Sequence, residues 1–204
     1  MVRAVLRFVA SVMMVSGALL IGDAGSTLLW QEPVSWFLVQ HQQSNLEEAL
    51  ARPPARVIQR KPLKGDALGK ITIPAIGVSR YVVEGTDTAS LRKGPGHYPS
   101  TPLPGERGTA AIAGHRTTYG APFRRLNEVK RGDRVIVDMP YGRFVYRVQG
   151  TRIVDDQDLS VLRSKGYQRL VLSACHPLYS AAQRIIAFAR LERKLPARVR
   201  KGSA

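Results

Sequence analysis

Cysteine is almost absent from this sequence, since Cys175 is the only one in 204 residues. A single cysteine excludes an internal disulfide. In an exported chain, a lone cysteine is either a buried, inert apolar residue or a free and reactive thiol. The composition leaves both interpretations open, and the residues around Cys175 have to decide between them.

Acidic residues are also scarce, with 15 Asp and Glu against 31 Lys and Arg, which gives a formal net charge of +16. Such a charge attracts nucleic acid, other anionic polymers or an anionic bilayer surface. Here the cations are spread along the chain and are not interleaved with aromatic residues as in RNA-binding motifs. We therefore expect no nucleic-acid partner, and most of the charge indicates a solvated surface.

Long apolar runs are limited to one, at residues 8–22, which Arg3 and Arg7 precede. Cations before an uncharged stretch are typical of a signal sequence, and apolar residues 24–30 extend the stretch towards spanning length. We predict an uncleaved signal anchor at residues 1–30, a single pass through the cell membrane, with the remainder extracellular by the positive-inside rule. The alternative is a buried helix of a soluble domain, but no polar face interrupts the run.

Beyond the anchor, the sequence indicates one domain with appendages. Residues 31–66 are predicted to form an extracellular stalk, with a helical stem followed by a proline-stiffened linker. Residues 67–195 contain many short strand-like segments separated by turn residues, which favours a mainly β fold with short helices, closed into a barrel. Residues 196–204 form a basic tail.

Within this domain the pattern predicts individual elements. A helical turn is expected at residues 87–91, an irregular loop at 94–108 and a helix at 122–129, where Pro122 is acceptable in a first turn. Residues 184–191 fit a strand or a helix. The remaining strands are predicted at residues 69–73, 78–84, 109–113, 134–139, 144–153 and 170–174.

Cys175 directly follows the apolar strand at residues 170–174, which would hold an exposed thiol rigidly. A nucleophilic cysteine needs a nearby proton acceptor or cation. His176 adjoins it, but adjacent side chains of a strand point to opposite faces. The other histidines are His41 in the predicted stalk, His97 in the irregular loop and His115 at a strand end. They show no paired spacing typical of zinc ligands, so no metal or other cofactor is expected.

A family resemblance distinguishes among these candidates. Residues 114–123, Gly-His-Arg-Thr-Thr-Tyr-Gly-Ala-Pro-Phe, and residues 172–177, Leu-Ser-Ala-Cys-His-Pro, precede Arg184. This order of a strand-end His, a strand-end Cys and a following Arg resembles the sortase signature. The residues of these two segments are most similar to the motifs of class E sortases of high-GC Gram-positive bacteria. The resemblance covers about residues 68–191.

The resemblance implies an eight-stranded sortase-type β-barrel and a cysteine transpeptidase. Such an enzyme cuts a secreted protein's C-terminal LPxTG- or LAxTG-like sorting signal after Thr, then joins the protein to an amine of a peptidoglycan precursor. On this mapping Cys175 is the nucleophile and His115 the acid–base catalyst. Arg184 would stabilise the oxyanion, because its guanidinium is always charged and offers a fork of donors.

The resemblance also suggests substrate contacts, at Tyr119, Thr117 and Ala174. Ala174 occupies the position where the family usually has Thr, so a hydroxyl that helps position the substrate or oxyanion is missing. Tyr119 belongs to a loop that the family places beside the substrate cleft. Its bulk would favour Ala over Pro at the second position of the sorting signal.

Two other functions remain open at this point. A pilin-polymerising sortase would use a pilin lysine as the acceptor amine. A non-catalytic envelope module would use the basic surface to bind anionic cell-wall polymers, and its cysteine would not react with substrate-like electrophiles.

Overall fold

The structure, a computed structural model, describes residues 2–29 and 33–197. Two long helices come first, α1 at Val2–Leu29 and α2 at Pro33–Ala51, and two single-turn helices follow, α3 at Ala55–Ile58 and α4 at Thr88–Leu91. Residues 2–26 of α1 are long and apolar enough to cross a membrane, and the most apolar window has no buried residue. The predicted basic tail at 196–204 lies outside the described residues from residue 198 onwards.

Eight strands form a closed barrel in the order β1-β2-β3-β4-β7-β8-β6-β5. The predicted eight-stranded barrel is therefore confirmed, and residues 184–191 belong to a strand. The strands are β1 Ala67–Ile73, β2 Val78–Glu84, β3 Gly96–His97, β4 Thr109–Ala113, β5 Arg134–Met139, β6 Gly142–Asp155, β7 Arg169–His176 and β8 Gln183–Leu195. Short 3-10 turns occur at Pro74–Ile76, Leu126–Glu128 and Leu159–Leu162.

The parallel pair β4 and β7 is buried on both faces, which explains its continuous apolar sequence. Ile112 and Leu172 point into the main core inside the barrel. On the outer face, Ala111 and Val171 form a second cluster with Val161 of the 3-10 turn Leu159–Leu162. Residues at alternate positions of these strands therefore face opposite sides of the barrel wall.

The helix predicted as the stem of a stalk forms, and it packs against the barrel. Val39, Gln43 and Leu46 of α2 are all buried. The Gln43 side chain forms three hydrogen bonds with the barrel backbone. Its Oε1 accepts from the Tyr81 N–H at 2.7 Å, and its Nε2 donates to the carbonyls of Tyr81 at 3.1 Å and Lys93 at 2.8 Å. The boundary at residue 66 between stalk and catalytic domain stays a prediction, but α2 contacts β1 and β2 directly.

The predicted helix at residues 122–129 is wrong, since this segment is a series of turns with one 3-10 turn at Leu126–Glu128. Its backbone groups are used elsewhere: the Phe123 N–H donates to the His115 carbonyl at 2.9 Å. The Phe123 ring packs against Gly114, where an added Cβ would lie 2.5 Å from a ring carbon. Tertiary contacts thus override the local helical preference.

The loop predicted to be irregular at residues 94–108 contains the short strand β3. His97 of β3 is paired with Glu84 of β2 in the parallel register. Its Nδ1 lies 2.9 Å from Glu84 Oε2 and its Nε2 lies 3.1 Å from the Pro102 carbonyl oxygen, and both side chains are buried. These contacts hold the loop against the barrel and give His97 a structural role.

Candidate active site

Cys175 and Arg184 are partners across the antiparallel strands β7 and β8. Residues directly opposite each other in an antiparallel pair project from the same face of the sheet. Both are half-buried, and Cys175 is a free thiol. The structure thus brings together the predicted nucleophile and the predicted oxyanion donor at one edge of the barrel.

Ala174 points the other way, into the main core, and is only 3% exposed. Because side chains alternate along β7, Ala174 faces the barrel interior while Cys175 faces outwards. The prediction that Ala174 contacts the substrate therefore does not fit this structure. The missing hydroxyl at this position would have pointed towards the core as well.

His115 lies at the same end of the parallel pair β4 and β7 as Cys175. The ladder ends with Ala113 opposite Ser173, and the Gly114 N–H donates to the Ser173 carbonyl at 3.0 Å. His115 follows two residues after Ala113, as Cys175 follows two residues after Ser173. His115 and Cys175 therefore lie the same number of residues beyond the last pair of the ladder, at the same edge of the barrel.

The imidazole of His115 is half-buried, and burial lowers the pKa of this histidine below its ordinary value of 6.5. Its Nε2 is enclosed and has no hydrogen-bond partner among the described residues. The ring of Tyr119 lies close by, with a centroid separation of 5.1 Å and a tilt of 49°. His115 is therefore neutral at physiological pH, the state required of a proton acceptor.

The guanidinium of Arg184 is tied to the turn between β7 and β8. Its Nη1 donates to the carbonyls of Ala181 at 2.7 Å and Gln183 at 3.0 Å. Within residues 33–197, Nε and Nη2 have no hydrogen-bond partner, so two edges of the fork are open to a ligand. An arginine held in this way is suited to stabilise the oxyanion that forms on a substrate carbonyl when the neighbouring thiol attacks it.

Tyr119 is held in the loop that leaves β4. Its backbone is left-handed, with φ of 50°, and the Arg92 guanidinium lies 5.4 Å from the ring centroid. The next residue, Gly120, approaches Val39 of α2, where an added Cβ would lie 3.1 Å from a methyl carbon. Thr117 is half-buried in the same loop. Tyr119 adjoins His115, whereas substrate contact by either loop residue stays a prediction.

Arg116 is a buried charged residue that sequence reasoning missed, and it is 4% exposed. Its guanidinium reaches the Cys175 carbonyl, the His176 ring, the Arg124 carbonyl and the Asn127 side chain. The available signal was its place in the Gly-His-Arg motif at residues 114–116. Across the described ranges, no three His, Cys, Asp or Glu side chains are grouped so as to hold a metal ion.

The sequence profile of the sortase domain matches residues 71–192, well over half of the chain. Among curated relatives, the chain is similar to Sortase D of Bacillus subtilis, at 39% identity over 118 residues, 57% of this chain. It is also similar to Sortase SrtE1 of Streptomyces coelicolor, at 25% identity over 206 residues, 93% of this chain. The matches cover 58% of the length of each of these relatives.

Solved structures show the same likeness. Sortase E from Streptomyces avermitilis superposes with a TM-score of 0.61 at 30% identity, covering 66% of this chain and 93% of that one. The SrtF sortase from Corynebacterium diphtheriae superposes with a TM-score of 0.64 at 29% identity, covering 70% and 93%. The relatives bear the letters D, E and F, so class E stays a prediction. The chain itself belongs to the sortase family.

Proposed function

We propose that this protein is a membrane-anchored transpeptidase that attaches secreted proteins to the cell wall. What supports the proposal is that Cys175 and Arg184 are opposed in the register of β7 and β8, and that His115 follows the neighbouring strand β4 at the same edge of the barrel. A thiol, a neutral imidazole and a guanidinium with open donors are the groups that thiol-mediated acyl transfer requires.

The proposed reaction has two steps. His115 accepts the proton of the Cys175 thiol, the resulting thiolate attacks the carbonyl carbon of Thr in an LPxTG- or LAxTG-like sorting signal, and Arg184 stabilises the tetrahedral oxyanion. The Thr–Gly bond breaks, His115 protonates the leaving amine, and a thioester remains on Cys175. An amine of a peptidoglycan precursor then loses a proton to His115 and attacks the thioester, which releases the thiol and forms a new amide.

The location follows from α1. With Arg3 and Arg7 in the cytoplasm and α1 as the single span, the barrel lies outside the cell. Secreted proteins with sorting signals, the precursor amine and the membrane are then the partners. Nothing in the described residues favours pilin polymerisation or a non-catalytic envelope module over this function.

The test uses the full-length protein in detergent, incubated with LPxTG and LAxTG peptides and diglycine as the amine. Mass spectrometry should detect a peptide acyl group on Cys175 and a peptide–diglycine product. The Cys175→Ala variant should fold normally and form neither. A ligated product from Cys175→Ala would overturn the proposal, and peptide binding without any acyl-enzyme in the unmodified protein would favour the envelope module.

A further inference from the structure

The ladder between β4 and β7 stops just before the nucleophile. Its last backbone bond runs from the Gly114 N–H to the Ser173 carbonyl, at 3.0 Å. In a parallel ladder each strand donates from every second residue, so the next N–H donation from β4 to β7 would join the Arg116 N–H to the Cys175 carbonyl. Instead, the Arg116 side chain reaches that carbonyl, with Nη1 at 3.2 Å from the oxygen. The guanidinium of Arg116 thus donates the hydrogen bond that the backbone N–H of β4 would otherwise donate.

The same guanidinium connects two other segments to this point. Nη2 donates to Asn127 Oδ1 at 2.8 Å, and Nε donates to the Arg124 carbonyl at 3.3 Å. Nη1 also lies 3.3 Å from Nδ1 of His176. One side chain therefore joins the loop after β4, the turns at 124–127 and the end of β7.

This arrangement places a charge in an unusual environment. Arg116 is 4% exposed and forms no ion pair with a carboxylate among the residues the structure describes. Burial and the neighbouring Arg124 charge lower the pKa of the Arg116 guanidinium, whereas interaction with Cys175 raises it. Burying an arginine without a carboxylate destabilises the fold, unless its donors are satisfied and its charge has a use.

Arg116 also determines how His176 is protonated. A guanidinium can only donate, so Nδ1 of His176 accepts, and the ring proton of the neutral imidazole lies on Nε2. The Nδ1 lone pair of His176 is then occupied. This agrees with the assignment of His115, and not His176, as the acid–base residue.

We propose that Arg116 is the positioning residue of the active site. It replaces the last rung of the β4–β7 ladder, which lets β4 diverge and carry His115 while Cys175 keeps its place on β7. This inference rests on the proposed function, because it assigns Arg116 to the same thiol chemistry.

The experiment compares Arg116→Lys, Arg116→Met and Asn127→Ala with the unmodified full-length protein. Active sites are titrated by the acyl-enzyme formed with an LAxTG peptide, and kcat and KM are expressed per titrated site. We expect kcat to fall about a hundredfold in Arg116→Met and about tenfold in Arg116→Lys, with KM little changed, because a small misplacement of a reacting group has effects of this size. Asn127→Ala, which removes one acceptor, should lower kcat several-fold.

Iodoacetamide alkylation of Cys175 at fixed pH provides a readout that needs no substrate. We expect it to slow about tenfold in Arg116→Met, because the end of β7 that carries the thiol loses its contact with the guanidinium at the Cys175 carbonyl and the thiol is displaced. Arg125 is the matched control, because it lies in the neighbouring turns, is exposed and pairs with Glu128 at 2.7 Å. Arg125→Lys and Arg125→Met should change neither rate by more than twofold.

The outcomes separate this inference from the proposed function. Normal kcat per site and normal alkylation in the folded Arg116 variants would overturn the positioning role, even if their unfolding temperature falls. If Arg116→Met does not fold, Arg116→Lys and Asn127→Ala decide by the same criterion. If no peptide acylates the unmodified protein but alkylation slows in Arg116→Met, the proposed function fails and the role of Arg116 towards the thiol stands.

Discussion

Cys175 and Arg184 lie opposite each other in the register of β7 and β8. Directly opposed residues of an antiparallel pair have Cβ atoms about 4.5–5.5 Å apart, a separation that the backbone ladder maintains. The proposed nucleophile and oxyanion donor therefore share a rigid support. Only the ends of their side chains need to adjust when a substrate binds.

Substitution by lysine separates the hydrogen-bonding role of Arg184 from its positive charge. We predict that Arg184→Lys and Arg184→Ala both lose about a hundredfold to a thousandfold in kcat, because lysine cannot reproduce the planar fork of donors. Peptide binding should change much less. Arg190, exposed on the same strand beside the Tyr167 ring, is the control and should tolerate lysine. Near-normal kcat in Arg184→Lys would move the oxyanion role to backbone amides near Cys175.

His115 should make stability depend on pH. Burial lowers its pKa in the folded state below 6.5, so the unfolded chain binds more protons as the pH falls through and below that value. The folded protein therefore loses stability on acidification, and His115→Gln should lose less. Urea unfolding of both proteins from pH 7.5 to 5 measures the difference. Parallel curves for the two proteins would contradict a lowered pKa.

Tyr119, whose ring lies next to that of His115, should influence substrate choice through its bulk. If its ring limits the space at the second position of the sorting signal, Tyr119→Ala should raise kcat/KM for an LPxTG peptide relative to an LAxTG peptide. Tyr119→Phe keeps the ring and serves as the control. An unchanged ratio in Tyr119→Ala would remove this residue from specificity.

Gln43 should stabilise the contact between α2 and the barrel. In Gln43→Ala, the buried N–H of Tyr81 loses its acceptor, and the free energy of unfolding should fall by about 1–3 kcal/mol. Gln40, exposed one turn earlier on α2, provides the matched control in Gln40→Ala. Chemical denaturation measures both. Equal stability in the two variants would mean that α2 is not firmly attached in solution.

Membrane topology provides a fifth test. We predict that the protein stays in the membrane fraction, and that protease added to protoplasts degrades the barrel, because Arg3 and Arg7 precede the apolar span. Permeabilised protoplasts control for protease activity. Recovery of the intact chain from the soluble cytosol, or protection of the barrel in intact protoplasts, would contradict this orientation.

Much of the barrel could be predicted from the sequence because its strands follow local rules. Residues 109–113 and 170–174 are apolar throughout, as expected of strands buried on both faces, and Cys175 follows directly. The prediction that Cys175 is the nucleophile, with His115 and Arg184 as its partners, depended on the family resemblance. Side chains alternate between the two faces of a strand, which placed His176 on the other face from Cys175. The same rule applies to Ala174 and would have predicted the inward direction of that side chain.

Other features depend on contacts distant in sequence. The role of Arg116 follows from the point where the β4–β7 ladder ends, which requires the register of the two strands. The contact of Gln43 with Tyr81 joins residues that no sequence pattern relates. The segment at 122–129 has residues compatible with a helix, but the packing of Phe123 on Gly114 determines its conformation instead.

The attachment of α2 to the barrel also limits the distance between the barrel and the membrane. From Leu29, the end of α1, to Pro33, the start of α2, the chain can extend about 15 Å at most, at 3.8 Å between successive Cα atoms. With α1 in the bilayer, as proposed, such a short tether keeps α2 and the barrel packed on it close to the membrane. Substrates and amines that are themselves attached to the membrane then meet the barrel at a raised effective concentration, whereas a protein released into the wall meets it rarely.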